Sequence, residues 1–202
     1  GGNFWNDEEY SYPFTQVFNT ASKTFGDGMM HPSPWNREYA SAVFSGGSLF
    51  ILGCNGNSLV DSYDTATGEF YEPNSPLNDG AAAAYIVGGV PGAVNGKFYV
   101  VEGGFYLPLA GSAYEYDPGS NSWIKRSATN SVPRLYVSGG QWNDKIVIYG
   151  GMDESGGVVA TAAVYDPAAD TFTTYANANP NPTVFETGAV YNDKLYLFGG
   201  IT

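Results

Sequence analysis

Apolar residues in this chain fall in short runs separated by turn-forming residues, and the segment from Gly188 to Gly200 shows the unit most clearly. Two apolar runs there are joined by Asn192-Asp193. The same place holds Asn95-Gly96, Asn143-Asp144 and Gly46-Gly47 elsewhere in the chain. These residues tolerate the positive φ of a two-residue hairpin turn. Leu195 to Phe198 and Ile146 to Tyr149 are apolar at every position, which predicts strands buried on both faces. A diglycine ends each such strand, where a Cβ would obstruct a close backbone approach or an unusual φ. A third strand closes on Tyr-Asp, as in Tyr116-Asp117-Pro118 and Tyr165-Asp166-Pro167. The Asp starts a turn through its side chain and the Pro presets φ. A fourth strand opens on Trp or Phe. The unit predicted is a four-stranded antiparallel meander.

The unit repeats. Gly1-Gly2, Gly53-Cys54, Gly103-Gly104, Gly150-Gly151 and Gly199-Gly200 recur at intervals of about 50 residues. A second ladder keeps the same period: Phe18, Tyr63, Tyr116 and Tyr165 are each followed by an aromatic, Phe25, Phe70, Trp123 and Phe172. The repeats run over about 1–52, 53–102, 103–149 and 150–202, a single domain with no Gly-Ser or Pro-rich linker. Meanders of this kind bury both faces by stacking on copies of themselves.

The diglycine, the Tyr after it and the Trp or Phe beyond make the chain resemble the Kelch family over essentially its whole length. The departures are Cys54 for a second glycine, and Phe18 and Phe25 for Tyr and Trp. The resemblance implies an all-β fold, a Kelch-type β-propeller. The sequence starts and stops at the same phase of the repeat, which leads to the expectation of four blades of four antiparallel strands, the closing blade shared between an N-terminal and a C-terminal half-repeat. The alternative is that the chain is part of a larger propeller.

Charge narrows the partners. Eight Lys and Arg against 20 Asp and Glu give a net charge of −12. That disfavours nucleic acid, whose binding rests on phosphate neutralisation, and anionic membranes. No apolar run reaches the roughly 18 residues of a membrane helix. Cys54 is the one cysteine, so an internal disulfide is excluded, and its place at a strand end suggests a small buried hydrophobe. Few lysines and many Gly, Ser, Thr, Asn and Tyr fit an extracellular protein, with a cytoplasmic one as the alternative. No Asn-X-Ser/Thr sequon occurs.

In Kelch-like propellers, the loops after the diglycine and the loops before the innermost strand share the face that usually binds the partner. Transferred to this chain, that face carries Trp5, Asp7, Tyr10, Trp35, Arg37, Phe105, Tyr106, Arg134, Asp153 and Glu154. Aromatics beside carboxylates suit sugar rings and protein hot spots alike. Arg37 and Arg134 open parallel Arg-X-Tyr segments. Each Arg has two readings, a bidentate grip on a carboxylate or a tie between adjacent blades.

Enzyme resemblances are thinner. Copper radical oxidases resembling galactose oxidase need two His, and His31 is the only one here. The iron motif of nitrile-specifier-like proteins is matched only at Asp27 and His31, with Lys23 in place of its Glu. Glu38, Arg37 and Arg134 imitate the charged channel mouth of sialic-acid mutarotase-like proteins, but no spacing selects them. The expectation is a non-enzymatic binding module for a protein or glycan, with no metal, cofactor or catalytic set assigned. The alternatives are a structural subunit of an extracellular assembly, through self-assembly, and a Kelch-type enzyme whose site the sequence does not identify.

Overall fold

The computed structural model describes residues 14–26, 29–30, 40–54, 57–71, 88–103, 109, 111–176 and 179–202. Among them there is no helix. The strands are β1 (Phe14–Thr15), β2 (Phe18–Asn19), β3 (Thr24–Phe25), β4 (Met29–Met30), β5 (Ser41–Ser45), β6 (Ser48–Cys54), β7 (Asn57–Asp64), β8 (Phe70–Tyr71) and β9 (Val90–Val94). They continue as β10 (Lys97–Val101), β11 (Ser112–Asp117), β12 (Ser122–Thr129), β13 (Ser138–Trp142), β14 (Lys145–Tyr149), β15 (Ala162–Asp166), β16 (Thr171–Tyr175), β17 (Val184–Tyr191) and β18 (Lys194–Ile201).

Three four-stranded sheets, β5–β8, β9–β12 and β13–β16, are antiparallel meanders in strict chain order. Sequence chemistry accounts for each corner. Both turn residues have positive φ in Gly46-Gly47, Asn95-Gly96 and Asn192-Asp193, as does Asn143. Those turns bring Ser45 opposite Ser48, Val94 opposite Lys97, Tyr191 opposite Lys194 and Trp142 opposite Lys145. At the next corner the carboxylate accepts backbone N–H groups: Asp64 from Ala66 at 2.7 Å, Asp117 from Gly119 at 2.8 Å, Asp166 from Ala168 at 3.0 Å. The aromatic ladder becomes a cross-strand pair, with ring centroids 4.9 Å apart in Tyr63–Phe70, 5.3 Å in Tyr116–Trp123 and 4.8 Å in Tyr165–Phe172.

Stacking of successive sheets makes the core. Val43, Leu52 and Val60 of the first sheet pack with Phe98, Val100 and Trp123 of the second. Val90, Val94 and Val101 of the second pack with Ile146, Ile148 and Tyr165 of the third. The first strands β5, β9, β13 and β17 run side by side, and small residues let them approach. A Cβ on Gly188 would lie 2.5 Å from Ser138 Oγ, and one on Gly92 would lie 2.8 Å from Ile146. The diglycine Gly150-Gly151 satisfies both reasons offered for it: both residues have positive φ, and a Cβ on Gly151 would meet Leu135 O at 2.4 Å.

The ends depart from expectation. The N- and C-terminal half-repeats do not join: β2–β3 and β17–β18 are separate two-stranded sheets, as is β1–β4. Among the described residues the series of sheets is not closed. Leu195 to Phe198 were expected to be buried on both faces, yet they alternate between half-buried and exposed. The physical reason is that sheet three covers one side of β17–β18 and no described element covers the other.

Candidate functional site

The loops at one end of sheets two and three enclose a cleft of about 370 Å³, lined by Ser131, Val132, Pro133, Asp153, Glu154 and Ser155. One wall is the connection from β12 to β13. The other is the loop after the third diglycine. Backbone bonds lash them together, with Leu135 and Met152 exchanging N–H and C=O at 2.9 Å in both directions. The second loop doubles back on itself, with Asp153 N–H donating to Gly157 O at 2.9 Å and Gly156 holding φ 83°.

Asp153 organises that loop. Its Oδ1 accepts from Ser155 Oγ at 2.6 Å, Ser155 N at 2.9 Å and Gly157 N at 2.9 Å. The Ser155 hydroxyl, then the Gly157 N–H, holds its carboxyl below the usual carboxylate range. Glu154 reaches across to the previous repeat and accepts Leu109 N–H at 2.7 Å. Phe105 and Tyr106, with Trp5, Asp7, Tyr10, Trp35 and Arg37, lie outside the described residues, as do Asp27, His31 and Glu38.

Arg134 is fully buried beneath the cleft. Its guanidinium donates to Val132 O at 3.1 Å, Gly150 O at 3.2 Å and Thr161 O at 2.7 Å. This is the geometry of a tie and not of an open grip on a ligand. The carbonyls of three loop segments converge there and consume the donor fork, so Arg134 supports the cleft from below.

Sequence reading missed Glu102, the acid in that base. It is 2% exposed and accepts from the Asn130 side-chain amide and from Arg134 N–H at 3.3 Å. Its φ of 61° is a left-handed backbone that costs a non-glycine residue about 1–2 kcal/mol. Burial pushes its carboxyl up from 4.5 to about 7, against the opposing pull of the Asn130 and Arg134 hydrogen bonds. The sign follows directly. The folded state holds this proton more tightly than the unfolded chain, so its contribution to stability is full below about pH 4.5 and is lost as pH rises through about 7. Urea midpoints should therefore fall between about pH 5 and pH 8, and Glu102→Gln should flatten that decline. An unchanged slope in the variant would show that Glu102 is not the titrating group.

A second polar cluster was also missed. Buried Glu115 on β11 binds Lys97 and Arg126, each at 2.6 Å, and accepts Tyr99 Oη at 3.1 Å. Burial, and then the Glu115 charge, pushes the Tyr99 phenol up to about 12. Arg126 continues to Pro167 O at 3.2 Å, tying the outer strands of sheets two and three. Among the described residues no three His, Cys, Asp or Glu side chains converge as a set able to hold a metal ion.

The cleft thus presents two carboxylates, two serines and a short apolar wall, with no cation in its lining. Chemically it accepts donors: hydroxyls, amides or ammonium groups. These features sit on an all-β fold of successive antiparallel meanders. That fold is similar to the structure of YjhT, with a TM-score of 0.72 and 16% sequence identity over 93% of this chain and 66% of that one. At that identity the likeness is one of fold, and the chain spans 66% of YjhT's length. No family model matches the chain, and no curated protein matches it.

Proposed function

We propose that this chain is a Kelch-type propeller module that binds a protein or glycan ligand without transforming it. The observation that carries this reading is the acidic cleft between the 131–133 and 153–155 segments, built over a buried, hydrogen-bonded base. Its volume lies at the low end of ligand pockets, about 300–1,000 Å³. A space of that size suits one sugar ring, or one Lys or Arg from a partner surface. Trp5, Trp35, Phe105 and Tyr106 belong to the loops assigned to the same face and would supply flat contacts around it.

Arrays of neutral and amino sugars and of basic peptides test this directly. Glu154→Gln keeps an acceptor for Leu109 N–H while removing the charge. It should weaken the selected ligand about tenfold, the size of one charge-assisted contact of roughly 1.4 kcal/mol. Trp35→Ala should weaken it as well. Both variants should keep the parent melting temperature. Binding untouched by either substitution removes this site.

A further inference from the structure

One buried acid holds the first wall of the cleft. Val132 stands at the middle of that wall. Its N–H donates to Asn130 Oδ1 at 3.3 Å, and its carbonyl accepts from Arg134 Nε at 3.1 Å. Asn130 and Arg134 thus fix Val132 from both sides along the chain. Both are themselves bonded to Glu102: the Asn130 amide donates to Oε1, and the Arg134 N–H donates to Oε2 at 3.3 Å. Glu102 therefore spans the 131–133 wall from below, with one carboxyl oxygen for each end. The opposite wall is independent of it, because Asp153 closes the 153–157 loop through bonds to Ser155 and Gly157.

Two features give this bridge two positions. The first is the donor count. Both partners present N–H groups, so the bridge needs an acceptor at each carboxyl oxygen. A proton on Oε1 sets a donor against the Asn130 amide. Either that bond is lost, or the amide turns over and its oxygen leaves Val132 N–H for Glu102. A proton on Oε2 sets a donor against Arg134 N–H, which cannot turn over. Each protonated arrangement gives up a bond that fixes the wall. The second feature is balance. Burial favours the neutral acid, while the Asn130 and Arg134 hydrogen bonds and the Arg134 charge favour the carboxylate. Arg134 is the charged group that acts on Glu102. The other neighbours do not titrate: Ser112 accepts Glu102 N–H at 2.9 Å, and a Cβ on Gly89 would lie 2.4 Å from Glu102 O.

We propose that Glu102 is a proton-operated clamp on the cleft: as a carboxylate it fastens the 131–133 wall through Asn130 and Arg134, and on taking up a proton it releases that wall. Glu102 acts as a positioning residue, through the wall and not on the ligand. The clamp stands on these hydrogen bonds alone. Its effect on affinity rests on the reading of the cleft as the ligand site.

NMR of the full chain between about pH 5.5 and pH 8.5 tests the clamp with no ligand present. The Asn130 side-chain amide and the Val132 and Arg134 N–H signals should shift together, with a shared midpoint at about 7. Signals of Ser155 and Gly157, on the opposite wall, should not follow. In Glu102→Gln the wall signals should stay at their acid-limit positions, because glutamine offers a single acceptor oxygen. Wall signals that do not titrate in the unaltered chain, or that titrate unchanged in the variant, overturn the clamp. Should the variant fail to fold, the Glu102 carboxyl carbon of the unaltered chain decides. A midpoint there that differs from the wall signals overturns the clamp as well. Affinity then reads the consequence. N-acetyl-trilysine amide keeps its ammonium groups charged throughout. It should bind the unaltered chain about fivefold more tightly at the alkaline end, and the variant equally at both ends. Binding that ignores pH in the unaltered chain overturns control of the cleft by Glu102. A probe that binds at neither end counts against the cleft as its site, while the wall signals still decide the clamp.

Discussion

Arg134→Ala is expected to destabilise the fold by about 3–5 kcal/mol, a large share of the roughly 5–15 kcal/mol that holds a typical domain together. The side chain has no solvent exposure, and its guanidinium bonds carbonyls of Val132, Gly150 and Thr161. Truncation leaves Gly150 O and Thr161 O without their donor inside the protein. Each buried acceptor left unmet costs about 1–3 kcal/mol. Lysine in its place keeps the charge but has one donor centre where arginine has a fork, so Arg134→Lys should recover only part of the loss. Urea denaturation monitored by tryptophan fluorescence measures both. The cleft should suffer with the fold, because the 131–133 wall hangs from this residue. A loss below about 1 kcal/mol would mean that water or relaxation replaces the arginine, and that it is no keystone.

That residue also shows how far the sequence reads. Both roles for Arg134 were legible, because Arg-X-Tyr before an inner strand places an arginine near the loop face. Which role wins depends on where the carbonyls of two other segments, at Gly150 and Thr161, lie, and no local pattern contains that. The four-stranded meander of sheets one to three was legible. Asn-Gly, diglycine, Tyr-Asp and Trp are local conformational demands, and each is met locally in the structure. Glu102 was not legible. It stands at the end of an apolar strand, directly before a diglycine, where an acid ordinarily marks a solvated strand end. Here the connection from β12 to β13, well beyond it in the chain, supplies Asn130 and Arg134 as partners. Glu154 was assigned to the ligand face, and its bond to Leu109 was not legible because it joins positions far apart in the chain. The burial expected for Leu195 to Phe198 failed for a related reason. An all-apolar run shows that two neighbours suit it, not that both are present.

Trp123→Ala should cost about 3–5 kcal/mol, the range for removing a fully buried large aromatic. Its indole is 1% exposed and lies 5.3 Å from the Tyr116 ring. Tyr116 in turn stacks 6.1 Å from Phe98, and Phe98 lies 4.3 Å from Phe50 of the preceding sheet. Deleting the indole therefore opens a cavity at the end of a line of rings that joins two sheets, and neighbours fixed by strand pairing cannot collapse into it. The same repeat position in the N-terminal hairpin is Phe25, which is 68% exposed. Phe25→Ala should change the stability of the isolated chain by no more than about 0.5 kcal/mol, as surface substitutions do. The two substitutions occupy equivalent places in the repeat, so the difference between them reports the burial that stacking adds, together with the larger size of the indole. Equal costs for both substitutions in dilute solution would show that the Phe25 ring is as covered as its counterpart in sheet two.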